Sequence, residues 1–189
     1  MKLRRDKIVL IIFLFILMPS AFSQSGEKPT PWQRLFWGGN LGLQLGTVTD
    51  IDISPLVGYR LTPRLSAGVG VKYEYYHDSY DHLETCIYGG NLFANYTVIK
   101  DISKILPLNT NSGIYLHSEY EALSLDKRIF GNYPVDSQGR FISNNFLAGL
   151  GIKQPIGERS SFNILILWNL TEGVNSPYSS PVIRFGFMF

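Results

Sequence analysis

The sequence predicts an all-β fold, a membrane-spanning antiparallel up-and-down β-barrel of about eight strands. Three observations carry that expectation. Apolar residues recur with period two in about eight segments, each near ten residues long, and no long stretch after the first 23 residues carries them at helical spacing. The opposite parity of those segments is dominated by Gly, Asn and Ser, with isolated charges of both signs. The chain also opens on the layout of a secretory leader.

The leader sets the compartment. Residues 1–7 carry Lys2, Arg4, Arg5 and Lys7, residues 8–18 are wholly apolar, and Ala21-Phe22-Ser23 places small residues at a cleavage point before Gln24. The apolar run is well short of the ~20 residues that a spanning helix needs. No Cys follows it, so a lipid anchor is not indicated. The expected organisation is a signal peptide over 1–23, a periplasmic segment over 24–35 and one barrel domain over 36–189. A net charge of +2, partly from the leader, gives no case for nucleic acid as a partner. Cys86 is the only cysteine, so no disulfide forms within the chain, and it reads as a small apolar wall residue.

The segments follow in order. The first, 36–45, sets Trp37, Leu41, Leu43 and Leu45 against Gly38, Asn40, Gly42 and Gln44. The second, 50–60, opposes Ile51, Ile53, Val57 and Tyr59 to Asp52, Ser54, Gly58 and Arg60. After a turn at 61–64, the third runs from 65 to about 76, with Ala67, Val69, Val71, Tyr73 and Tyr75 against Ser66, Gly68, Gly70, Lys72 and Glu74. The fourth, 85–98, alternates Tyr88, Leu92, Ala94, Tyr96 and Val98 with Gly89, Asn91, Asn95 and Thr97, although Ile87 and Phe93 fall on the polar side. The fifth, 113–123, opposes Ile114, Leu116, Tyr120 and Ala122 to Tyr115, His117, Glu119 and Glu121. The sixth, 145–155, opposes Phe146, Ala148, Leu150 and Ile152 to Gly149, Gly151 and Lys153. The seventh, 161–170, is almost continuously apolar and leaves its facing open. The eighth, 181–189, presents Ile183, Phe185, Phe187 and Phe189 against Arg184 and Gly186.

Such a pattern suits two solvents, and the second parity chooses between them. The strands of a soluble sandwich would show water a face rich in Lys, Glu, Thr and Ser. Gly and Asn with sparse charges instead suit the crowded lumen of a narrow barrel, and a strand near ten residues matches a tilted bilayer crossing. With the N-terminus in the periplasm, outward aromatics gather in two girdles: Trp37, Tyr59, Tyr96, Phe162, Phe187 and Phe189 at the periplasmic rim, Tyr73, Tyr75, Tyr88, Tyr120, Phe146 and Trp168 at the outer rim. The links 61–64 and 156–160 are then short periplasmic turns, and 78–84, 124–144 and 171–180 lie outside. The link 100–112 is longer than the rule, long enough to hold a brief helical turn.

From about Phe36 to Phe189 the chain resembles the small eight-stranded outer-membrane barrels formed by the OmpA transmembrane domain and OmpX, and more closely the barrels common in Bacteroidota. The resemblance rests on the alternating strands, the Gly-Tyr-Arg-Leu-Thr-Pro-Arg-Leu-Ser stretch at 58–66, and the terminal Phe189 preceded by Phe187 and Phe185. It implies integral residence in the outer membrane in contact with its lipid. It also implies that Phe185, Phe187 and Phe189 form the signal read by the barrel assembly machinery. No peptidoglycan-binding domain or plug is evident, a departure from the full OmpA arrangement.

The candidate site is the inward-parity set Asp52, Arg60, Lys72, Glu74, Glu119, Glu121, Lys153 and Arg184. These charges either line a narrow pore or pair across the interior and close it. An eight-stranded barrel has room only for side chains, which favours closure, with Arg184 seeking Glu74, Glu119 or Glu121. The enzymatic alternative is a lipid A deacylase-like hydrolase built on His117-Ser118-Glu119. Adjacent strand residues point to opposite faces, so His117 and Ser118 do not share one triad without a bulge. The tract from His77 to Glu84 holds imidazoles and carboxylates, but its spacing matches no closed metal site. The expected role is therefore non-enzymatic, without cofactor or metal: structure, adhesion or ligand contact through external loops, the ligand itself unread.

Overall fold

A computed structural model describes residues 30–44, 48–78, 83–105, 107, 110–127, 139–171, 177–178 and 180–189. The expected signal peptide lies outside these residues. Eight strands follow one another: β1 (Leu35–Gln44), β2 (Val48–Arg60), β3 (Leu65–Asp78), β4 (Leu83–Ile99), β5 (Gly113–Asp126), β6 (Arg140–Pro155), β7 (Ser161–Asn169) and β8 (Val182–Met188). Each pairs antiparallel with the next, and β8 returns to β1, giving a closed up-and-down barrel. Closure leaves no edge strand with unpaired backbone groups. The closing ladder is short, Gly38–Leu41 against Phe185–Met188, and is extended by Trp37 and Phe189, which exchange backbone hydrogen bonds at 3.2 and 2.8 Å.

The start of β1, the end of β8 and three links sit at one end, the terminal rim; the opposite end is the loop rim. The 100–112 link does hold a 3-10 turn at Ile102–Lys104, capped by Asp101. A second such turn, Pro31–Arg34, precedes β1. Several strands outrun their expected ends at the loop rim. The largest difference is in β5 and β6, which pair as far as Asp126 with Arg140, so the outer connection begins later and ends earlier than 124–144. Leu125 and Phe141 explain the extension, because they join Ile87 and Leu123 in an apolar cluster at the top of the lumen. Pro55 lies within β2, and the β2–β3 ladder skips Ser54 and Pro55 there, as a residue without an N–H requires.

The parity assignments hold. The outward residues of β2, β3, β4, β5, β6 and β8 named above are exposed or half-buried, and Asp52, Ser54, Lys72, Glu74, Asn91, Asn95, His117, Glu119, Glu121 and Arg184 are buried. In β7, Ser161, Asn163, Leu165 and Leu167 face inward, while Phe162, Ile164, Ile166 and Trp168 face outward. Leu165 and Leu167 pack with Leu147 and Tyr115, a second apolar layer within the lumen. Ile87 and Phe93, the two apolar residues on the polar side of the fourth segment, are likewise lumen fillers.

The glycines now have a packing reason. Phe36 lies across the rung from Gly58, Phe93 from Gly68 and Tyr115 from Gly151, and a methyl group on any of these glycines would run into the facing ring. Large and small residues thus alternate around the taper, which lets eight strands close over a filled interior.

Candidate functional site

The lumen is occupied by one connected polar network drawn from five strands and one connection. From β2, Asp52 accepts from Ser54 Oγ at 2.5 Å and faces Lys72 Nζ of β3 at 3.3 Å; the same ammonium meets Glu74 at 2.8 Å. From β8, the Arg184 guanidinium forks to two carboxyls of β5, Nη1 to Glu119 Oε2 and Nη2 to Glu121 Oε1, both at 2.9 Å. Glu119 is also bonded to Asn91 of β4 and to His117 Nε2 at 3.0 Å, and His117 Nδ1 meets Asn95 Oδ1 at 2.6 Å.

Tyr178 joins the two halves. It comes from the 170–181 connection, and its hydroxyl donates to Glu121, accepts from Lys72 at 3.0 Å and lies 3.3 Å from Arg184 Nη2. Its ring takes the Lys72 ammonium at 4.8 Å and packs on both apolar clusters. Burial at this level is nearly complete: Arg184 keeps 2% of its surface, Glu121 none. Groups of this charge tolerate such burial because every one has an opposite charge or a hydrogen bond opposed to it.

Six of the eight expected lumen residues therefore meet in this network: Asp52, Lys72, Glu74, Glu119, Glu121 and Arg184. Arg184 selects Glu119 and Glu121, leaving Glu74 to Lys72. Arg60 and Lys153 do not join. They sit near the terminal ends of β2 and β6, where Arg60 bonds the Gln33 carbonyl at 3.3 Å and covers the Phe36 ring at 5.5 Å. Tyr178 was not anticipated, since a residue in a loop between Pro and Ser carries no parity signal. Among the asparagines, Asn91 and Asn95 were legible as inward, and their role is to complete Glu119 and His117.

The His117-Ser118-Glu119 tract splits as strand geometry requires. His117 and Glu119 are in the lumen, Ser118 follows the outward parity between Ala94 and Ala148, and both ring nitrogens of His117 are engaged by Asn95 and Glu119. The tract from His77 to Glu84 lies partly outside the described residues. Cys86 is on the outer face, its Sγ 3.1 Å from the Tyr73 hydroxyl.

The outer face is the complement of the lumen. Thirty large apolar side chains stand exposed among the described residues. Below the loop rim the outward positions of all eight strands carry no Asp, Glu, Lys or Arg. At the terminal rim Trp37 stacks on Phe189 at 4.7 Å and Phe162 meets Phe187 at 5.3 Å; toward the loop rim Tyr73 pairs with Tyr88, and Tyr120 with Phe146. The two girdles fall where the strand directions place them.

No protein-family model and no curated protein matches the chain. Among solved structures, one described as "De novo design of transmembrane beta-barrels" is similar at 13% sequence identity, covering 82% of this chain and 92% of that one, with a TM-score of 0.38.

Proposed function

We propose that the chain is an integral outer-membrane β-barrel of the small eight-stranded kind typified by the OmpA transmembrane domain and OmpX. In this reading it is secreted by cleavage after residue 23, is inserted by the barrel assembly machinery, and acts without catalysis as a closed scaffold whose outer loops make contacts. One observation carries it: the barrel is inverted relative to a water-soluble protein, with buried charges inside and an uncharged apolar belt outside. A soluble monomer rarely exposes an apolar patch beyond a few hundred Å², whereas hydrocarbon charges about 2–4 kcal/mol for a Lys or Arg at mid-depth. A belt without charges satisfies lipid and would fail in water.

Two features favour a scaffold over the alternatives. The network of Asp52, Lys72, Glu74, Glu119, Glu121, Arg184 and Tyr178 crosses the lumen at mid-height, which opposes a continuous water path. Both ring nitrogens of His117 are engaged by Asn95 and Glu119, which speaks against its use as the base of a deacylase. The test is membrane fractionation with heat-modifiable migration: the unboiled protein should pellet with outer membranes and run at a position that shifts on boiling. Recovery in the soluble fraction without detergent would overturn the reading. An altered lipid A acylation profile in a deletion strain would instead favour the enzyme.

A further inference from the structure

Two cations of the lumen are left outside its ion pairs, and they line a common cavity. Arg60 of β2 and Lys153 of β6 start four strands apart around the barrel, yet both line one cavity of about 60 Å³ at the terminal rim. Neither makes an ion pair among the described residues, and no carboxylate lines the cavity. The remaining wall includes Ser66, Thr97, Tyr115 and Asn163.

Two of these wall residues have unfinished hydrogen bonding. Tyr115 is 5% exposed and its hydroxyl has no partner; Asn163 is 1% exposed and its Oδ1 has none, while its Nδ2 is committed to Ser161 at 3.3 Å. Buried polar atoms in folded proteins are nearly always satisfied, so two orphans beside two cations that make no ion pair point to a solute of complementary chemistry. The donors set its charge: guanidinium, ammonium and phenol hydroxyl all bind an anion. The acceptor sets its protonation, because an oxyanion beside Asn163 Oδ1 must offer that atom a hydroxyl. The volume is several times the ~10–15 Å³ required by one water, enough for a compact ion.

We propose that this cavity binds a protonated phosphate-class oxyanion, held by Arg60, Lys153 and the Tyr115 hydroxyl, and donating its own hydroxyl to Asn163 Oδ1. Free hydrogen phosphate and a phosphomonoester head group share this chemistry. Sulfate and phosphodiester head groups lack the proton and leave the acceptor unpaired.

The test is calorimetric titration of inorganic phosphate, at neutral pH, into the full barrel refolded in an amine-oxide detergent, with the heat-modifiable band as the check of folding. Saturable one-to-one binding is expected, with sulfate weaker by about tenfold or more, since a site built to pair a hydroxyl discriminates strongly against an analogue without one. Tyr115→Phe keeps the ring over Gly151 and removes only the hydroxyl, so it should fold and lose affinity by about tenfold. Arg60→Met with Lys153→Met should abolish the saturable heat. Reconstitution in phosphatidylcholine vesicles with and without phosphatidic acid identifies the source: competition with phosphate names the head group, and independence names the free ion. A folded barrel that gives no phosphate heat, a Tyr115→Phe barrel that binds as tightly as the parent, or equal affinity for sulfate would overturn the assignment, leaving a hydrated cavity.

Discussion

Replacing Arg184 with Met tests whether the lumen is held together by charge pairing. The guanidinium is 2% exposed and contacts Glu119 and Glu121 at 2.9 Å each, with the Tyr178 hydroxyl at 3.3 Å. Met fills much of the same volume but leaves two buried carboxyls on β5, two residues apart, without their shared cation. Asn91 and His117 still support Glu119, and Tyr178 still supports Glu121, so the loss is of charge compensation more than of every hydrogen bond. Breaking one buried pair by removing a partner costs about 3–5 kcal/mol, and here one arginine serves two carboxyls, so the upper part of that range is expected. The assay is urea unfolding of the barrel in lipid vesicles, followed by tryptophan emission. The decisive comparison is the triple variant Arg184→Met, Glu119→Gln, Glu121→Gln, in which no charge is stranded and stability should return to within about 1–2 kcal/mol of the parent. A single variant that loses less than about 1 kcal/mol, or a triple variant no better than the single, would refute the pairing account.

Other substitutions probe separate links. Tyr178→Phe keeps the ring between the two apolar clusters but strips the hydroxyl that joins Lys72 to Glu121; the same unfolding assay should register a loss of about 1–3 kcal/mol, and an unchanged midpoint would show that the loop is not pinned through this group. Gly151→Leu drives a side chain into the Tyr115 ring and should stop the unboiled protein from reaching its folded gel position. Adding Tyr115→Ala should restore it, because the rung again pairs one large with one small residue; failure of that rescue counts against the alternation. At the terminal rim, bonds from Ser103 Oγ at 2.7 Å and Ser103 N at 3.0 Å hold the Asp101 carboxyl below its usual range. A depressed carboxyl contributes its cap above the unfolded value near ~3.9 and loses it as pH falls through the lower folded value. Ser103→Ala should therefore raise the midpoint of Asp101 in a carboxyl NMR titration, and a midpoint that does not move would sink the capping assignment.

The barrel was legible because its side chains obey one rule over most of its length. A period of two with Gly on one parity fixes both the strand and the face that must be crowded, and in β3 every residue from Ser66 to Tyr75 followed it. The rule fails where the lumen itself turns apolar. Leu165 and Leu167 point inward in β7 because Leu147 and Tyr115 supply an apolar layer there, so between Asn163 and Asn169 no polar residue marks the inner face. The same chemistry hid the ends of β5 and β6, where Leu125 and Phe141 fill the top of the barrel and look in sequence like the start of a loop. In the candidate site, parity identified which charges face inward but not how high each sits. Height separates Arg60 and Lys153 from the other six, since both lie near the terminal ends of their strands while Lys72, Glu119, Glu121 and Arg184 share the middle. Tyr178 was beyond reach: its position follows from the three groups that bind its hydroxyl, not from its neighbours in sequence.

The central claim is that the apolar outer belt faces lipid, and its most direct test is tryptophan quenching in vesicles of brominated phospholipid. Trp32 is replaced by Phe, leaving Trp37 in the terminal girdle and Trp168 in the loop girdle, both with exposed rings on the outer face. Bromines placed high on the acyl chains should quench both, and bromines near the chain ends should quench them less, as expected for rings at the two interfaces. Emission indifferent to bromine at every depth, from a protein that remains folded, would place the belt in water and contradict the account.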